Sequence, residues 1–199
     1  MPFSFSGVPR DLLEMLLHGG VGKLHLMSMA EVALRHAGQA KGPVREQLMD
    51  LGSDMLQAAW ENDPLDGETC RQLLALEGKR SFLAPPLAVV VRAVAETWRP
   101  PESMAYFSRL LAKRDMARTR RFLQEQHDKE PRNLYWAQQA FGLAVYEREF
   151  AWIDPWLAQG ILAGLGPVAD KLRGDLAFFQ GNMDTAVACY GRLVEQLRL

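Results

Sequence analysis

Cysteine is scarce in this chain: Cys70 and Cys189 are the only two, they lie 119 residues apart, and they form no CxxC pair. This excludes a small disulfide scaffold and a cysteine-rich zinc module. Both cysteines lie in apolar, helix-like stretches, which favours two buried thiols in a reducing compartment. The alternative is a disulfide or a metal site that both residues share.

The chain also lacks a long apolar run and a net charge of either sign. Its longest apolar stretch, 83–91, contains two prolines and is much shorter than the ~20 residues that a membrane-spanning helix needs. Arg10, Asp11 and Glu14 interrupt the early apolar residues, so we expect no signal-peptide core. The net charge of −1 gives no attraction to nucleic acid or to anionic lipid. We therefore expect a cytoplasmic protein with no nucleic-acid partner and no membrane partner.

One glycine-rich segment has the outline of a phosphate-binding loop. It covers residues 18–24, with the sequence HGGVGKL. Leu17 occupies the position where the motif requires glycine, and Leu24 follows Lys23 where a hydroxyl should bind magnesium. A helix is predicted before it, where the motif has a strand. We interpret this segment as the end of a helix and a turn.

Catalytic and metal-binding patterns are missing as well. The four histidines (His18, His25, His36 and His127) are scattered, without the spacing of four residues or the carboxylate neighbour that a helical metal site needs. No serine lies in a Gly-x-Ser-x-Gly elbow. We expect no metal, no cofactor and no catalytic residues. An all-helical enzyme whose residues converge from distant positions is the alternative.

Strand-forming patterns are rare, and the chain has only two isoleucines. Ala, Leu, Met, Gln, Glu and Arg dominate, as helices prefer. Glycine and proline divide the chain into helix-length pieces joined by short connections, which predicts an all-α fold of antiparallel helix neighbours. The predicted helices are 9–18, 26–39, 43–61, 67–78, 86–98, 102–113, 115–128, 133–147, 150–163, 168–180 and 183–197.

An acidic, proline-containing stretch at 61–66 is the best candidate for a domain boundary. Asp66 is a good N-cap for the helix that carries Cys70, because its side chain can accept from a free amide of the first turn. We expect an N-terminal helical portion over 1–64 and a second portion over 65–199.

The second portion has an internal period. Predicted helix pairs break at three similar turns, and aligning Asp115, Glu149 and Asn182 gives spacings of 34 and 33 residues. An earlier pair over 66–99 has a similar length. The predicted units therefore lie near 66–99, 100–133, 134–166 and 167–199.

The last unit resembles the tetratricopeptide repeat. Gly174, the turn Gly181-Asn182-Met183-Asp184, and then Ala186, Tyr190 and Leu193 are similar to the small, turn and apolar positions of that family. Gly174 and Ala186 would let two helices approach closely, and Tyr190 would fill the space between neighbouring pairs. The resemblance implies a right-handed superhelix of antiparallel helix pairs, an α-solenoid.

The earlier units match the family less closely. In the middle unit Trp136, Ala140 and Leu143 resemble the family's Trp, small and apolar positions, and Pro131 lies where the preceding repeat commonly closes. Pro155, however, comes early in the second helix of the middle unit. The resemblance covers about half of the chain.

The resemblance implies a concave groove built from the first helix of each pair. On the aligned register the residues facing this groove would be Tyr135, Gln138, Gly142, Tyr146, Lys171, Asp175, Phe178 and Phe179. Nine large rings lie in 135–179, more than three short hairpins need for packing, so some should line the groove. We therefore predict a protein-interaction module, an adaptor or assembly factor, that captures an apolar or amphipathic segment. The alternative, from a different class, is a dedicated secretion-type chaperone for one client subunit.

Two further surfaces have alternative interpretations. Arg114, Arg118 and Arg121 share one helix face, which favours a solvated face. The alternatives are a binding site for an acidic partner segment, for the acidic stretch 61–68 of this same chain, or for nucleic acid. On the last helix an apolar stripe has no predicted helix after it to cover it. This stripe indicates either a homodimer through the C-terminal helix or packing against the N-terminal half. Its members are Val187, Tyr190, Leu193, Val194 and Leu197.

Overall fold

A computed structural model describes residues 22–158 and 160–198. This part of the chain is helical, with no strand. Its helices are α1 (Lys23–Gln39), α2 (Pro43–Asn62), α3 (Gly67–Glu77), α4 (Pro85–Thr97), α5 (Met104–Ala112), α6 (Met116–Lys129), α7 (Leu134–Glu147), a 3-10 turn (Asp154–Ala158), α8 (Gly160–Ala163), α9 (Gly166–Phe179) and α10 (Met183–Arg198).

The all-α class is confirmed, and most predicted helices agree with the observed ones to within three residues at each end. The predicted helix 9–18 lies outside the described residues, as does most of the glycine-rich segment at 18–24. The helix predicted over 150–163 is wrong, because the structure has a turn, the 3-10 segment and the four-residue α8 there.

Proline and tight turns explain the broken helix. Pro155 has no amide hydrogen, and its ring excludes the carbonyl of the residue four positions earlier from a helical bond. The backbone instead forms bonds between residues three apart: Ile153 N donates to Phe150 O at 3.0 Å, and Trp156 N donates to Ile153 O at 2.9 Å. Pro155 is the sixth residue of the predicted helix 150–163, beyond the first turn in which a helix tolerates proline.

Side-chain caps fix several helix starts. The predicted cap is confirmed at Asp66, whose Oδ2 accepts from Thr69 N at 3.2 Å and from Thr69 Oγ1 at 2.6 Å. Asp115 accepts from Arg118 N in the same way at the start of α6. Asn133 accepts from Tyr135 N at the start of α7. Each cap satisfies an amide that the helix itself leaves without a partner.

Three helix ends share one backbone conformation. Arg114, Arg148 and Gly181 have φ of 53°, 55° and 78°, and they are spaced by 34 and 33 residues. After α7, Glu149 N donates to Ala144 O, and after α9, Asn182 N donates to Ala177 O, which is the closing bond of a Schellman cap. The spacing predicted from the sequence thus recurs in the backbone angles of the turns.

The described chain divides into two compact units. The first contains the residues up to Pro64 together with Gln72–Phe82, and the second contains Leu65–Arg71 and everything described from Leu83 onward. In the first unit α1 and α2 pack along each other through small and apolar residues: Leu26, Ala30, Ala33, Leu56 and Ala59. The ranges expected from the sequence had assigned 72–82 to the C-terminal portion.

The second unit is centred on tryptophans. Trp136 is fully buried on α7, and its ring makes edge contacts with Phe107 and Phe122. Trp156 in the 3-10 segment is buried under the stacked ring of His127, at 4.0 Å between ring centroids. The C-terminal hairpin of α9 and α10 is closely packed, and α4 contacts both of its helices.

Candidate protein-binding surface

Three of the large rings in the second unit are exposed. Tyr146 near the end of α7 is 74% accessible, and Phe178 and Phe179 at the end of α9 are 49% and 52% accessible. The Phe179 ring stacks on the buried Phe150 at 6.2 Å and meets Phe178 edge-on at 5.7 Å. One side of Phe179 is therefore fixed by packing while half of its surface faces solvent. Exposed rings held in place in this way are typical of binding surfaces.

The repeat register predicted that Tyr135 faces an open groove, but Tyr135 is buried in the structure. It is 7% accessible, and its ring makes edge contacts with Trp98 at 5.4 Å and Trp136 at 5.1 Å. Burial raises the pKa of its hydroxyl above the usual value, because the phenolate loses its hydration. The reason for the difference is that the first turn of α7 is buried all round, from Leu134 to Ala137, so a position expected to face a groove is covered.

Gln138 is engaged within the unit. Its Oε1 accepts from Trp98 Nε1 at 2.8 Å, and its Nε2 lies 3.5 Å from Asp66 Oδ1. One acceptor position of this amide is therefore already used within the unit. Gly142, one turn further along the same helix, is exposed, and a Cβ added there would meet no atom within 4 Å.

Lys171 and Asp175 form a polar pair on α9. Lys171 Nζ donates to Asp175 Oδ2 at 2.8 Å, and Tyr190 Oη donates to Asp175 Oδ1 at 2.7 Å. Burial and the bond to Asp175 both raise the pKa of Tyr190 well above its usual range. Because the carboxylate neutralises Lys171, this cation is not presented as an isolated charge for a partner's carboxylate.

The basic residues on α6 and its preceding turn are exposed. Arg114 lies in the left-handed turn, and Arg118 and Arg121 line an open groove of about 670 Å³ between α5 and α6. In the described part of the chain, none of the three side chains pairs with a carboxylate. The same groove also contains Asp115 and Glu125, so its charge is mixed.

Arg120 is the exception in this basic run. It donates to Glu147 at 2.8 Å and to Glu149, and these bonds raise the pKa of its guanidinium. Its guanidinium also lies 5.9 Å from the centre of the Trp152 ring. Arg120 therefore joins α6 to the end of α7 and is not part of the solvated basic face.

The last helix is anchored on one side and exposed on the other. Ala186 and Cys189 are buried, and Arg192 and Gln196 both donate to the buried carboxylate of Asp170 at 2.8 Å. Of the predicted apolar stripe, Val187 and Val194 are exposed, Tyr190 and Leu193 are half-buried, and the side chain of Leu197 is not among those described. Met183 extends the exposed stripe by one turn.

Sequence reasoning missed an apolar groove in the first unit. Side chains of α1 and α2 line it, and several of them are exposed, including Met29, Val32 and Val44. The signal was available in the sequence, because α1 carries apolar residues on more of its circumference than one packing partner covers. No break or motif in the sequence marks this region.

Cys70 and Cys189 are both buried, and no disulfide joins them in the described part of the chain. Within the described residues, no group of three or more His, Cys, Asp and Glu side chains is arranged to hold a metal ion. Nor does any helix in that part of the chain combine the length and the apolar character needed to cross a membrane.

No protein-family model matches the chain, and searches of curated proteins and of solved structures gave no significant match. Function must therefore be inferred from the surface residues themselves, because a helical fold alone does not specify an activity.

Proposed function

We propose that this protein is a protein-interaction module that binds an apolar or amphipathic segment of a partner protein. The observation that carries the proposal is the exposure of Tyr146, Phe178 and Phe179, three of the rings that the repeat register assigned to a binding surface. Soluble surfaces rarely hold adjacent exposed phenylalanines, and large aromatic side chains supply much of the affinity at protein interfaces.

We also propose that the second unit is built from degenerate tetratricopeptide-like pairs. The recurring left-handed turns at 114, 148 and 181 support this interpretation. So does the close approach of α9 and α10 at Gly174, where an added Cβ would lie 2.5 Å from the Tyr190 ring. The contacts that α4 makes with α9 and α10 depart from a simple stack, in which each pair contacts only its neighbours.

The rings and the nearby charges have different roles in this proposal. Phe179 is fixed by Phe150 and loses little side-chain entropy on binding, so it is the expected anchor. The Lys171–Asp175 pair is too well satisfied to bind a partner's terminal carboxylate. The partner segment is therefore recognised mainly through its apolar side chains, as when an amphipathic helix binds a hydrophobic surface.

Replacing the exposed rings tests this function. The variants are Tyr146→Ala and Phe179→Ala, and the matched control is Val89→Ala, since Val89 is an exposed apolar residue of α4 in the same unit. Affinity is measured against a library of amphipathic-helix peptides by fluorescence anisotropy. We expect the ring variants to lose binding by about tenfold or more, as at interface hot spots, while the control binds like the wild type. Equal binding by all four proteins would show that the rings are not the binding surface.

The exposed stripe on α10 supports a second candidate, a homodimer through the C-terminal helix. Met183 and Val187 are 52% and 69% accessible, and Val194 is 44% accessible. The molar mass of wild type and Val187→Asp is measured by light scattering across a concentration series. A dimer that Val187→Asp dissociates supports this candidate, and a monomeric wild type at all concentrations removes it.

A further inference from the structure

Five cations are gathered where α5 ends and α6 begins. Arg109 and Lys113 lie at the end of α5, Arg114 lies in the turn, and Arg118 and Arg121 lie in the first half of α6. All five residues are exposed, and none of them pairs with a carboxylate in the part of the chain that the structure describes. The whole chain has a net charge of −1, so this positive charge is a local excess.

The spacing of these cations makes them repel one another. Arg118 and Arg121 are three residues apart on α6, and Arg109 and Lys113 are four apart at the end of α5. Like charges at these spacings are neighbours on the helix surface and lower its stability. The nearest carboxylate in sequence is Asp115, whose side chain accepts from the backbone amide of Arg118 as the N-cap of α6. An acidic ligand would relieve the repulsion that remains.

Arg114 occupies its position at a conformational cost. Its φ of 53° lies in the left-handed region, which glycine adopts readily and a side chain disfavours. The corresponding residue after α9 is Gly181. Glycine would close the turn before α6 at lower cost, so what arginine adds there is a positive charge beside Lys113.

The groove between α5 and α6, which we call the α5–α6 groove, places apolar surface next to this charge. It has a volume of about 670 Å³, and Arg118 and Arg121 line it together with the half-buried rings of Tyr106 and Phe122. The two rings meet edge-on, with 5.1 Å between their centroids. A ligand in this groove can therefore pair with two arginines and also cover part of two rings.

We propose that the α5–α6 groove binds an acidic segment of a partner protein, as arginine clusters bind acidic motifs in other recognition domains. Three residues of α6 rise about 4.5 Å along its axis, so two carboxylates one helical turn apart match Arg118 and Arg121. An apolar side chain on the same face of the partner helix contacts the rings of Tyr106 and Phe122.

The acidic stretch 61–68 of this same chain is a poor occupant, because its carboxylates already have partners. Asp63 Oδ2 accepts from Lys23 Nζ at 2.8 Å. Asp66 caps α3, and Glu68 pairs with the arginine three residues further on. Filling the groove with this stretch would cost those bonds, whereas a separate acidic segment brings its own carboxylates.

The groove suits a peptide better than a nucleic acid. Asp115 and Glu125 are exposed and line it as well, one before and one after the two arginines in sequence. A nucleic acid carries a phosphate at every residue, so both carboxylates would repel it. A peptide can place a neutral or basic side chain opposite each of them. The net charge of −1 also gives no long-range attraction to a polyanion.

Peptide binding to the full-length chain tests the proposal. The probe is a fluorescent helical peptide with two glutamates three residues apart, a leucine on the same face and a lysine one turn further on. The matched peptide has glutamine in place of both glutamates. Fluorescence anisotropy at low salt should show binding of the glutamate peptide that is tighter by about tenfold, and this advantage should shrink as salt rises to about 0.3 M. Equal affinities for the two peptides would overturn the proposal.

Paired substitutions locate the binding site. The groove variant carries Arg118→Gln and Arg121→Gln, and the matched control carries Arg92→Gln and Arg132→Gln, which remove two exposed arginines outside the groove lining. Circular dichroism checks that both proteins are folded. We expect the groove variant to lose affinity for the glutamate peptide by about tenfold and the control to bind like the wild type. Equal affinities of the two variants would contradict the proposed site.

Thiol protection measures coverage of the groove directly. Ala117→Cys places a thiol in the groove lining, and Ser108→Cys places one on an exposed part of α5 outside it. The native thiols of Cys70 and Cys189 are buried. With the glutamate peptide at about ten times its Kd, maleimide modification should slow by about tenfold at position 117 and remain unchanged at position 108. Equal slowing at both positions, or none at 117, would contradict the proposal.

Two further comparisons separate this site from other ligands and from the exposed rings. A single-stranded oligonucleotide or anionic vesicles that bind more tightly than the glutamate peptide would assign the basic surface to that class of ligand and overturn the proposal. Tyr146→Ala and Phe179→Ala should leave binding of the glutamate peptide unchanged, because neither residue lines the α5–α6 groove. A loss in these ring variants would place the acidic peptide at the rings and would also overturn it. Failure of the groove site leaves the function proposed for the rings unaffected.

Discussion

Gly174 lies directly against the ring of Tyr190 across the C-terminal hairpin. A Cβ added to Gly174 would be 2.5 Å from Cε1 and 2.8 Å from Cδ1 of that ring. The ring cannot move away freely, because Tyr190 Oη donates to Asp175 Oδ1 at 2.7 Å and Lys171 Nζ holds the same carboxylate. A glycine at this position therefore sets the separation of α9 and α10.

Replacing Gly174 by alanine should destabilise the protein. Alanine raises helix propensity by about 1 kcal/mol, but forcing a methyl group into a filled space costs about 1–3 kcal/mol. We expect a net loss in the free energy of unfolding, measured by urea denaturation. The matched control is Gly142→Ala on α7, where a Cβ has open space, and this change should stabilise by about 0.5–1 kcal/mol. Stabilisation by both changes would show that the Tyr190 ring yields easily.

Glycine at position 148 should have the opposite effect to glycine within a helix. Arg148 ends α7 with φ of 55°, and the left-handed region costs a non-glycine residue about 1–2 kcal/mol. Arg148→Gly removes this strain, partly offset by the greater freedom of glycine in the unfolded chain. We expect the melting temperature to rise. Arg121→Gly, in the interior of α6, should lower it through a loss of about 1 kcal/mol. A fall in melting temperature for both variants would contradict the expected strain at Arg148.

Lowering the pH should decrease the stability of the fold, because it protonates His127. Its ring is buried, stacks on Trp156 at 4.0 Å and has no partner for Nδ1 within the described part of the chain, so burial lowers the pKa of the imidazole below 6.5. The unfolded chain then binds a proton more readily than the folded one. The stabilising effect of the neutral ring is complete above pH 6.5 and is lost as pH falls from 6.5 toward the lower folded pKa.

The measurement is the free energy of urea unfolding at several pH values between 5 and 8. The control is His127→Gln, which removes the titrating group. We expect the difference between wild type and control to shrink as pH falls below about 6.5, the usual histidine pKa. If the difference in free energy of unfolding stays constant or grows as pH falls, protonation of His127 does not destabilise the fold.

Gln138 should contribute to stability through its bond to Trp98. Removing the amide by Gln138→Ala leaves Trp98 Nε1 without its acceptor at 2.8 Å, a loss of about 1–2 kcal/mol for a part-buried group. The neighbouring Gln139→Ala is the control and should change stability by less than about 0.5 kcal/mol. Urea unfolding measures both variants. Equal effects from the two changes would contradict a specific role for the Trp98 bond.

The sequence by itself determined the class of the fold and most helix boundaries, because these depend on local chemistry. Capping oxygens such as Asp66 and left-handed turns such as Gly181 act within a few residues, and a reader of the sequence can recognise them. The failure over 150–163 was also local, since Pro155 marks the break. The sequence did not determine which face of each helix is covered.

Only the tertiary structure decided which candidate residues are available to a partner. Tyr135 and Phe179 are both aromatic positions on first helices of the predicted pairs, yet Tyr135 is buried against Trp98, whereas Phe179 is half exposed. The sequence shows that Lys171 is positively charged. The ion pair with Asp175 that neutralises this charge depends on how Asp175 packs with Tyr190. Periodicity tells which residues share a helix face, whereas exposure depends on neighbours distant in sequence that local patterns do not specify.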